Sequence, residues 1–122
     1  MLRRIRWLRV LGAAIVVELV LFAIAIPLNM SPNGRAALRV VVIPMCVLGT
    51  FVGGWWAARR AGGLFLIHGI LVGAIAALIY AGLTWKVSLP TAYILANYLK
   101  LVGGAVGGLT AQLVLRPKPS VA

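Results

Sequence analysis

Residues 64–85 read LFLIHGILVGAIAALIYAGLTW and contain one histidine but no Asp, Glu, Lys or Arg. A helix needs ~20 apolar residues to cross the ~30 Å hydrocarbon core of a bilayer, and this stretch is long enough. Basic residues stand at both of its ends, with Arg59 and Arg60 before it and Lys86 directly after it. The stretch therefore predicts a transmembrane helix.

Three further apolar runs lie on the two sides of this segment. The four predicted spans cover residues 7–28, 36–58, 64–85 and 93–115. Within lipid every backbone amide needs a partner inside the protein, and at these lengths only helices provide one. Ser-Pro and Asn-Gly pairs over residues 30–34 predict a loop between the first two spans. The expected fold is all-α: a single integral membrane domain, built as a four-transmembrane-helix bundle.

Composition agrees with this fold. Hydrophobic residues make up 63% of the chain and charged residues 11%, whereas a soluble domain has ~25% charged residues. The net charge of +11 raises the question of nucleic acid. The basic residues flank the apolar runs, however, and form no stripe on one predicted helix face. We therefore expect the lipid bilayer, and no nucleic acid, as a partner.

The basic residues also predict the orientation, because cytoplasmic loops of membrane proteins have an excess of Lys and Arg. With the N terminus inside, eight basic residues lie on the inner side and three on the outer side. The inner set is Arg3, Arg4, Arg6, Arg9, Arg59, Arg60, Arg116 and Lys118, and the outer set is Arg35, Arg39 and Lys86. We predict a multi-pass protein of the bacterial inner (plasma) membrane with both termini cytoplasmic. The alternative is a cleaved signal peptide ending near Ala23-Ile24-Ala25, which the length of the first run and Glu18 disfavour.

Glycines four residues apart recur in three spans. That spacing places two small residues on one helix face, where the backbones of two helices can approach closely. The predicted packing residues are Gly49, Gly53, Gly69, Gly73, Gly103, Gly104, Gly107 and Gly108. Packing within this bundle is the favoured interpretation, and a partner interface is the alternative. Residues 49–54 and 103–108 also share the pattern G-x-x-V-G-G, which indicates either a duplicated helical hairpin or glycine bias alone.

Glu18 is the only acidic side chain of the chain. It lies about 16 Å along the first span, near the bilayer centre, where it must face the bundle and be protonated or paired. Lys100 of the fourth span lies at a level about 6 Å away, although each side chain leans toward the N terminus of its own helix. One interpretation is a structural Glu18 with Lys100 extending to the outer interface, and the energetic coupling is then under ~1 kcal/mol. The other is a proton- or cation-coupling Glu18.

His68 is the only histidine, and it is roughly level with Gln112 of the fourth span, a candidate hydrogen-bond partner. We expect a satisfied interior histidine, no metal site and no cofactor, with axial ligation of a pigment or haem by His68 as the alternative. Cys46 is the only cysteine and is expected to be a small buried thiol. The chain has no aspartate and no phosphate-binding glycine loop, so we expect no enzymatic activity.

The stretch GGWWAARRAGGLFLIHGILVGAIAALIY, residues 53–80, is similar to a pattern in small bacterial four-span membrane proteins without a functional assignment. They share a G-G-x-x-A-x-R turn followed by H-G-x-x-V-G, which implies the fold but no activity. Small multidrug resistance transporters have one glutamate in the first of four spans, a position that Glu18 resembles, but the aromatic motif of their third span is missing here. Fluoride channels share the length and the span count, but their phenylalanine- and threonine-rich segment is missing.

Two functional hypotheses follow. The first is a non-enzymatic accessory or assembly subunit of a larger membrane complex, because the chain has little extramembrane mass, few interior polar groups and several small-residue faces. The alternative is a small homo-oligomeric proton- or cation-coupled transporter or channel that uses Glu18. The protein partners are then other membrane subunits or a second copy of the chain.

Overall fold

The computed structural model describes residues 5, 7–59, 64–86 and 91–115. This part of the chain forms four helices and no strand. They are α1 (Trp7–Asn29), α2 (Pro32–Ala58), α3 (Phe65–Leu83) and α4 (Thr91–Leu115). All four are long and apolar enough to cross a membrane. The predicted all-α four-helix bundle is confirmed, and the chain is a multi-pass membrane protein.

The start of α2 differs from the sequence-based prediction. A loop was expected over residues 30–34 and a span from 36, but α2 begins at Pro32. Ser31 caps it, since its backbone is extended (φ −128°, ψ 152°) and its hydroxyl accepts a 3.0 Å hydrogen bond from the Gly34 amide. Proline suits the first helical position because the amide hydrogen it lacks would have no partner there. The residues that signal a turn are here the start signal of a helix.

The other helix bounds lie within two residues of the predicted spans. Leu64, the residue directly before α3, has a left-handed backbone with a φ of 52°. A branched side chain strains such a backbone. The Leu64 carbonyl oxygen accepts hydrogen bonds from both the amide and the ring of His68, which hold it in place.

Helix α4 packs against α2 and α3 with backbone against backbone. A Cβ atom built on Gly107 would lie 2.9 Å from the Trp55 nitrogen and closer still to the Phe51 carbonyl oxygen. On the other side, a Cβ on Gly69 of α3 would lie 2.7 Å from the Gly108 nitrogen. No side chain larger than hydrogen fits at these crossings without moving a helix. Close approach of this kind gives the dispersion contacts that hold helices together in lipid.

Helices α2 and α4 run in the same direction, and their repeated segments face each other. Gly103 of α4 lies against Val47 and Thr50 of α2, while Gly107, four residues on, lies against Phe51 and Trp55. Residues 54 positions apart are therefore at the same level of the bundle. This arrangement is the one expected of parallel repeats. The duplication itself stays a hypothesis.

Helix α1 is the most loosely packed of the four. Its neighbours are α2 and α3, and its Cα atoms stay more than 8 Å from those of α4 throughout the described residues. It contacts α2 through side chains, with Val17 lying over Gly49 and Gly53. Two apolar clusters fill the interior, one formed by Val10, Ala13, Ala57 and Val72, the other by Val17, Leu21, Val42, Cys46 and Ala96.

Candidate functional site

The most unusual group in the bundle is an ion pair between its two most distant helices. Lys100 Nζ of α4 lies 2.5 Å from Glu18 Oε1 of α1, and the two side chains are 1% and 4% exposed. Because α1 and α4 do not approach each other, both side chains extend across the interior to meet. An ionisable group at this depth is rare in membrane proteins and marks a candidate functional site.

Helix rotation explains why Glu18 points inward. The buried residues of α1 recur every three or four positions and form one face, which consists of Val10, Ala13, Ala14, Val17, Glu18 and Leu21. On α4, Lys100 shares a face with the fully buried Ala96 and with Gly103 and Gly104. The charges therefore lie on the packing faces of their helices.

The expectation that Lys100 extends to the outer interface is wrong. Side chains of a helix lean toward its N terminus, and this lean was expected to separate the two charged groups. The ~6 Å difference in level is instead bridged by the length of both side chains, which reach their hydrogen-bonding distance of 2.5 Å. The structure supports the alternative of a paired Glu18.

Aromatic side chains complete the surroundings of the pair. Lys100 Nζ lies 4.5 Å from the centroid of the Tyr80 ring, within the range of a cation–π interaction. Tyr80 in turn stacks on Phe22 of α1, with ring centroids 5.9 Å apart. Tyr80 was not predicted as a site residue. Counting 1.5 Å per residue along α3 would have identified Tyr80, because this residue lies about 22 Å along the helix and is therefore level with Lys100.

One oxygen of Glu18 has no partner. Oε2 is shielded from solvent and makes no hydrogen bond to any described residue. Glu18 lines a small cavity of about 60 Å³, which is large enough to hold a water molecule. The cavity is lined by the ion pair together with Leu21, Phe22, Ala25, Leu38, Val42, Met45, Cys46, Tyr80 and Tyr93. Cys46 is buried, as expected, and it shares this cavity with Glu18. The arrangement can hold a proton or a water molecule at Oε2.

His68 does not belong to this site. It is fully buried on the first turns of α3, about 18 Å along the helix from Tyr80. Its Nδ1 donates a 2.7 Å hydrogen bond to the Leu64 carbonyl oxygen. Gln112 of α4 is half-buried beside the fully buried Ala111. Their mutual hydrogen bond stays a prediction, as does the alternative of pigment or haem ligation by His68.

The predicted glycine interface is mostly internal. Six of the eight glycines meet backbone atoms of a neighbouring helix, namely Gly69, Gly73, Gly103, Gly104, Gly107 and Gly108. Gly53 meets the Val17 side chain, while a Cβ on Gly49 would make ordinary contacts at 3.5 Å. Gly54 was left out of the prediction, yet its Cβ would lie 2.7 Å from the Gly104 carbonyl oxygen. The glycine face of α4 is therefore used within the bundle and is not a surplus surface.

A second polar feature lies between α3 and α4. Asn97 Nδ2 donates a 3.2 Å hydrogen bond to the Ala77 carbonyl oxygen of α3, which fixes the orientation of the amide. Its Oδ1 is shielded and has no hydrogen-bond partner among the described residues. Asn97 lines a groove of about 520 Å³, here called the α3/α4 groove. The other residues of the groove are Ala74, Ala77, Leu78, Tyr80, Ala81, Thr84, Trp85, Ile94, Tyr98 and Leu101.

Comparisons of this chain with family models, with curated proteins and with solved structures find no match. What the protein does has therefore to be inferred from its own residues.

Proposed function

We propose that this protein is a non-enzymatic accessory or assembly subunit that docks another transmembrane protein at the α3/α4 groove. The observation that supports this proposal is the Asn97 amide, which has satisfied its donor side but not its acceptor side. An acceptor without a donor is costly in a membrane interior, where no bulk water can replace it. A helix that enters the groove removes that cost by donating one hydrogen bond to Oδ1, which requires the Asn97 side chain to shift until this shielded oxygen opens to the groove.

The surface around Asn97 suits such a partner. Leu78, Trp85 and Tyr98 line the groove and are strongly exposed. Asparagine side chains that bond across helices stabilise association in lipid by about 0.6–2 kcal/mol. The apolar and aromatic residues of the groove offer a docked helix a large contact area. The single polar group of Asn97 fixes the position of that helix along the groove.

Site-specific photocrosslinking in intact membranes tests the proposal. A photoreactive amino acid is placed either at Tyr98 in the groove, which is 67% exposed, or at Leu19 on α1, which is 64% exposed. The expected result is a crosslink to one other membrane protein from position 98 and to lipid alone from position 19. Tandem mass spectrometry of the product identifies the partner.

Asn97→Leu, made in the protein that carries the photoreactive residue at position 98, tests whether the crosslink depends on the Asn97 amide or only on closeness to the groove. We expect this variant to lose most of the crosslink, because it removes the acceptor while keeping a side chain of similar size. Thr110→Val is the matched control, since the Thr110 hydroxyl donates to the Val106 carbonyl oxygen of its own helix and serves no neighbour. Crosslinking to lipid alone from both positions contradicts the proposal.

The Glu18 site favours a second candidate, a homo-oligomeric transporter or channel coupled to protons or cations. Its specific support is that Glu18 has a shielded oxygen without a hydrogen-bond partner among the described residues and lines a cavity large enough for water. A coupling carboxylate must gain and lose a proton, which Glu18→Gln prevents without changing its size. In proteoliposomes with a pH gradient, flux that the wild type supports and Glu18→Gln abolishes establishes this candidate. Native mass spectrometry then shows a homo-oligomer instead of a heteromeric complex.

We further propose an inner-membrane location in a bacterium with both termini in the cytoplasm. The support is the eight-to-three distribution of basic residues between the two sides. Arg9 and Arg59 stand at one end of the described bundle, as this orientation requires.

A further inference from the structure

The ion pair has two polar groups that the described residues leave without a partner. An ammonium group has three N–H donors. The Lys100 ammonium donates one to Glu18 Oε1 and lies against the face of the Tyr80 ring. These two contacts leave one donor without an acceptor among the described residues, and Glu18 Oε2 has no hydrogen bond to any of them. One molecule that both accepts and donates hydrogen bonds satisfies the two groups at once, and water is the smallest such molecule.

A cavity of suitable size lies beside both members of the pair. Its volume is about 60 Å³, and about 10–15 Å³ is enough for one water molecule. Glu18 and Lys100 both line it and are buried. Tyr80, Tyr93 and Cys46 also line it, so residues with a hydroxyl or thiol group surround the charges. This space is here called the Glu18 cavity.

The lining of the Glu18 cavity extends toward one end of the bundle. Helix α1 ends, and α2 and α4 begin, at this end. Glu18 lies about 16 Å from the last residue of α1, whereas Ala25 lies about 6 Å from it. On α4, Tyr93 lies about 3 Å from the first residue. Ala25 and Tyr93 line the cavity and are partly exposed. The lining therefore reaches from the middle of the bundle to about one helical turn from this end, here called the Tyr93 end.

Toward the opposite end the interior is filled. An apolar cluster joins α1, α2 and α3 there, and its members are Val10, Ala13, Ala57 and Val72. Three of them, Val10, Ala57 and Val72, have no exposed surface. On the other side, a Cβ atom on Gly73 of α3 would lie 2.9 Å from the carbonyl carbon of Lys100, so α3 and α4 touch at the level of the ion pair. Packed side chains and backbone therefore separate the ion pair from this opposite end.

We propose that the Glu18 cavity is a binding site for water that fills from the Tyr93 end alone. One water molecule there accepts a hydrogen bond from Lys100 Nζ and donates one to Glu18 Oε2. Through this water the ion pair exchanges protons with the solution on one side of the membrane. The one-sided access does not depend on the subunit proposed to dock at the α3/α4 groove. It also holds if the chain supports no flux, so its failure is distinguishable from that of the transporter hypothesis.

Cys46 reports on access to the cavity, because it is the only cysteine and lines the cavity with Glu18. The probe is Ag⁺, a membrane-impermeant ion with a radius close to that of a water molecule. It binds the thiolate, and the thiol proton passes to the solution. The full chain is placed in sealed vesicles of either orientation, and alkylation of Cys46 is measured after denaturation. We expect Ag⁺ to prevent alkylation when it is added on one side only. Reaction from both sides, or from neither, overturns the proposal.

Two cysteine variants in a Cys46→Ala background identify the side. Met30→Cys lies between α1 and α2 at the Tyr93 end, where Met30 is strongly exposed. It should react with Ag⁺ from the same side as Cys46 does. Val72→Cys replaces a fully buried residue toward the opposite end and should react from neither side. The proposal fails if Val72→Cys reacts as fast as Cys46, or if Met30→Cys reacts from the other side.

Filling the lining near the Tyr93 end tests the course of the pathway. Ala25→Leu enlarges a side chain between that end and the ion pair, and it should block the reaction of Cys46 with Ag⁺. Ala23→Leu is the matched control, because Ala23 is exposed on α1 and does not line the cavity. Undiminished reaction in Ala25→Leu, or an equal loss in Ala23→Leu, overturns this course.

Water-edited solid-state NMR of the protein in bilayers tests the bound water directly. Lys100 is one of three lysines, so its Nζ signal is identified by its loss in Lys100→Met. We expect magnetisation to pass from water to Lys100 Nζ and, in the same time, not to the amide of the fully buried Val72. No transfer to Lys100, or equal transfer to Val72, overturns the water site. The measurement is made on the wild-type chain, so it stands even if a cavity variant does not fold.

Discussion

Removing Lys100 should destabilise the bundle much more than removing both members of the ion pair. The two groups are 2.5 Å apart and almost fully buried, and breaking such a pair by removing one partner costs about 3–5 kcal/mol. In Lys100→Met the carboxylate loses the hydrogen-bond partner that it has among the described residues, so we expect a loss in that range. In Glu18→Met the ammonium keeps its contact with the Tyr80 ring, so we expect a loss nearer 2 kcal/mol.

The double variant Glu18→Met, Lys100→Met removes both charges and fills the same space with apolar atoms. Replacements of this kind are often neutral or stabilising. We therefore expect the double variant to be more stable than Lys100→Met alone, with a coupling energy of at least ~2 kcal/mol. That value exceeds the ~1 kcal/mol limit expected from the sequence, where Lys100 was free to reach the interface.

The assay is equilibrium unfolding in mixed micelles, with rising SDS content and the fluorescence of the four tryptophans as the signal. A parallel cycle of Lys100→Met with Thr110→Val serves as the control, because Thr110 bonds only within its own helix. Those two changes should add within ~0.5 kcal/mol. A coupling between Glu18 and Lys100 under ~1 kcal/mol refutes the reasoning, since the pair then contributes no more than an exposed one.

Two further predictions concern packing and orientation. Gly107→Ala should destabilise the bundle by about 1–3 kcal/mol, because its Cβ would lie 2.9 Å from the Trp55 nitrogen. Gly12→Ala, whose Cβ has nothing within 4 Å, should be close to neutral in the same unfolding assay. Equal losses of stability in the two variants would mean that the helices do not approach closely at Gly107. In a Cys46→Ala background, Met30→Cys should react with a membrane-impermeant thiol reagent from outside and Ser120→Cys should not, as the distribution of basic residues requires. Equal labelling of both positions would indicate mixed insertion.

Hydropathy predicts the four spans well because a membrane helix must satisfy its own backbone and present apolar atoms to lipid. Counting along the helices also predicts the level of Glu18 and Lys100 to within the reach of their side chains. It does not provide the rotation of each helix, which decides whether a lysine points to the interface or into the bundle. That rotation is set by the glycine crossings at Gly69 and Gly107, which involve residues of three different helices.

Turn chemistry was the other source of error. Ser31-Pro32 followed by Asn33-Gly34 matches both a turn and a capped helix start, and the choice depends on which backbone groups need partners. The Gly34 amide finds the Ser31 hydroxyl at 3.0 Å, so the helix begins there. Asn97 shows the opposite case. Its proposed role follows from an oxygen that has no hydrogen-bond partner among the described residues, and no local sequence pattern predicts this.

The packing divides the bundle into a rigid part and a loosely held helix. Helices α2, α3 and α4 meet backbone to backbone at their glycines. Helix α1 meets α2 through side chains such as Val17, and none of its Cα atoms lies within 8 Å of a Cα atom of α4 among the described residues. The Glu18–Lys100 ion pair joins α1 to α4 across that gap. A variant that breaks the ion pair should loosen α1 before the other helices. A variant at a glycine crossing should instead destabilise the packing of α2, α3 and α4 together.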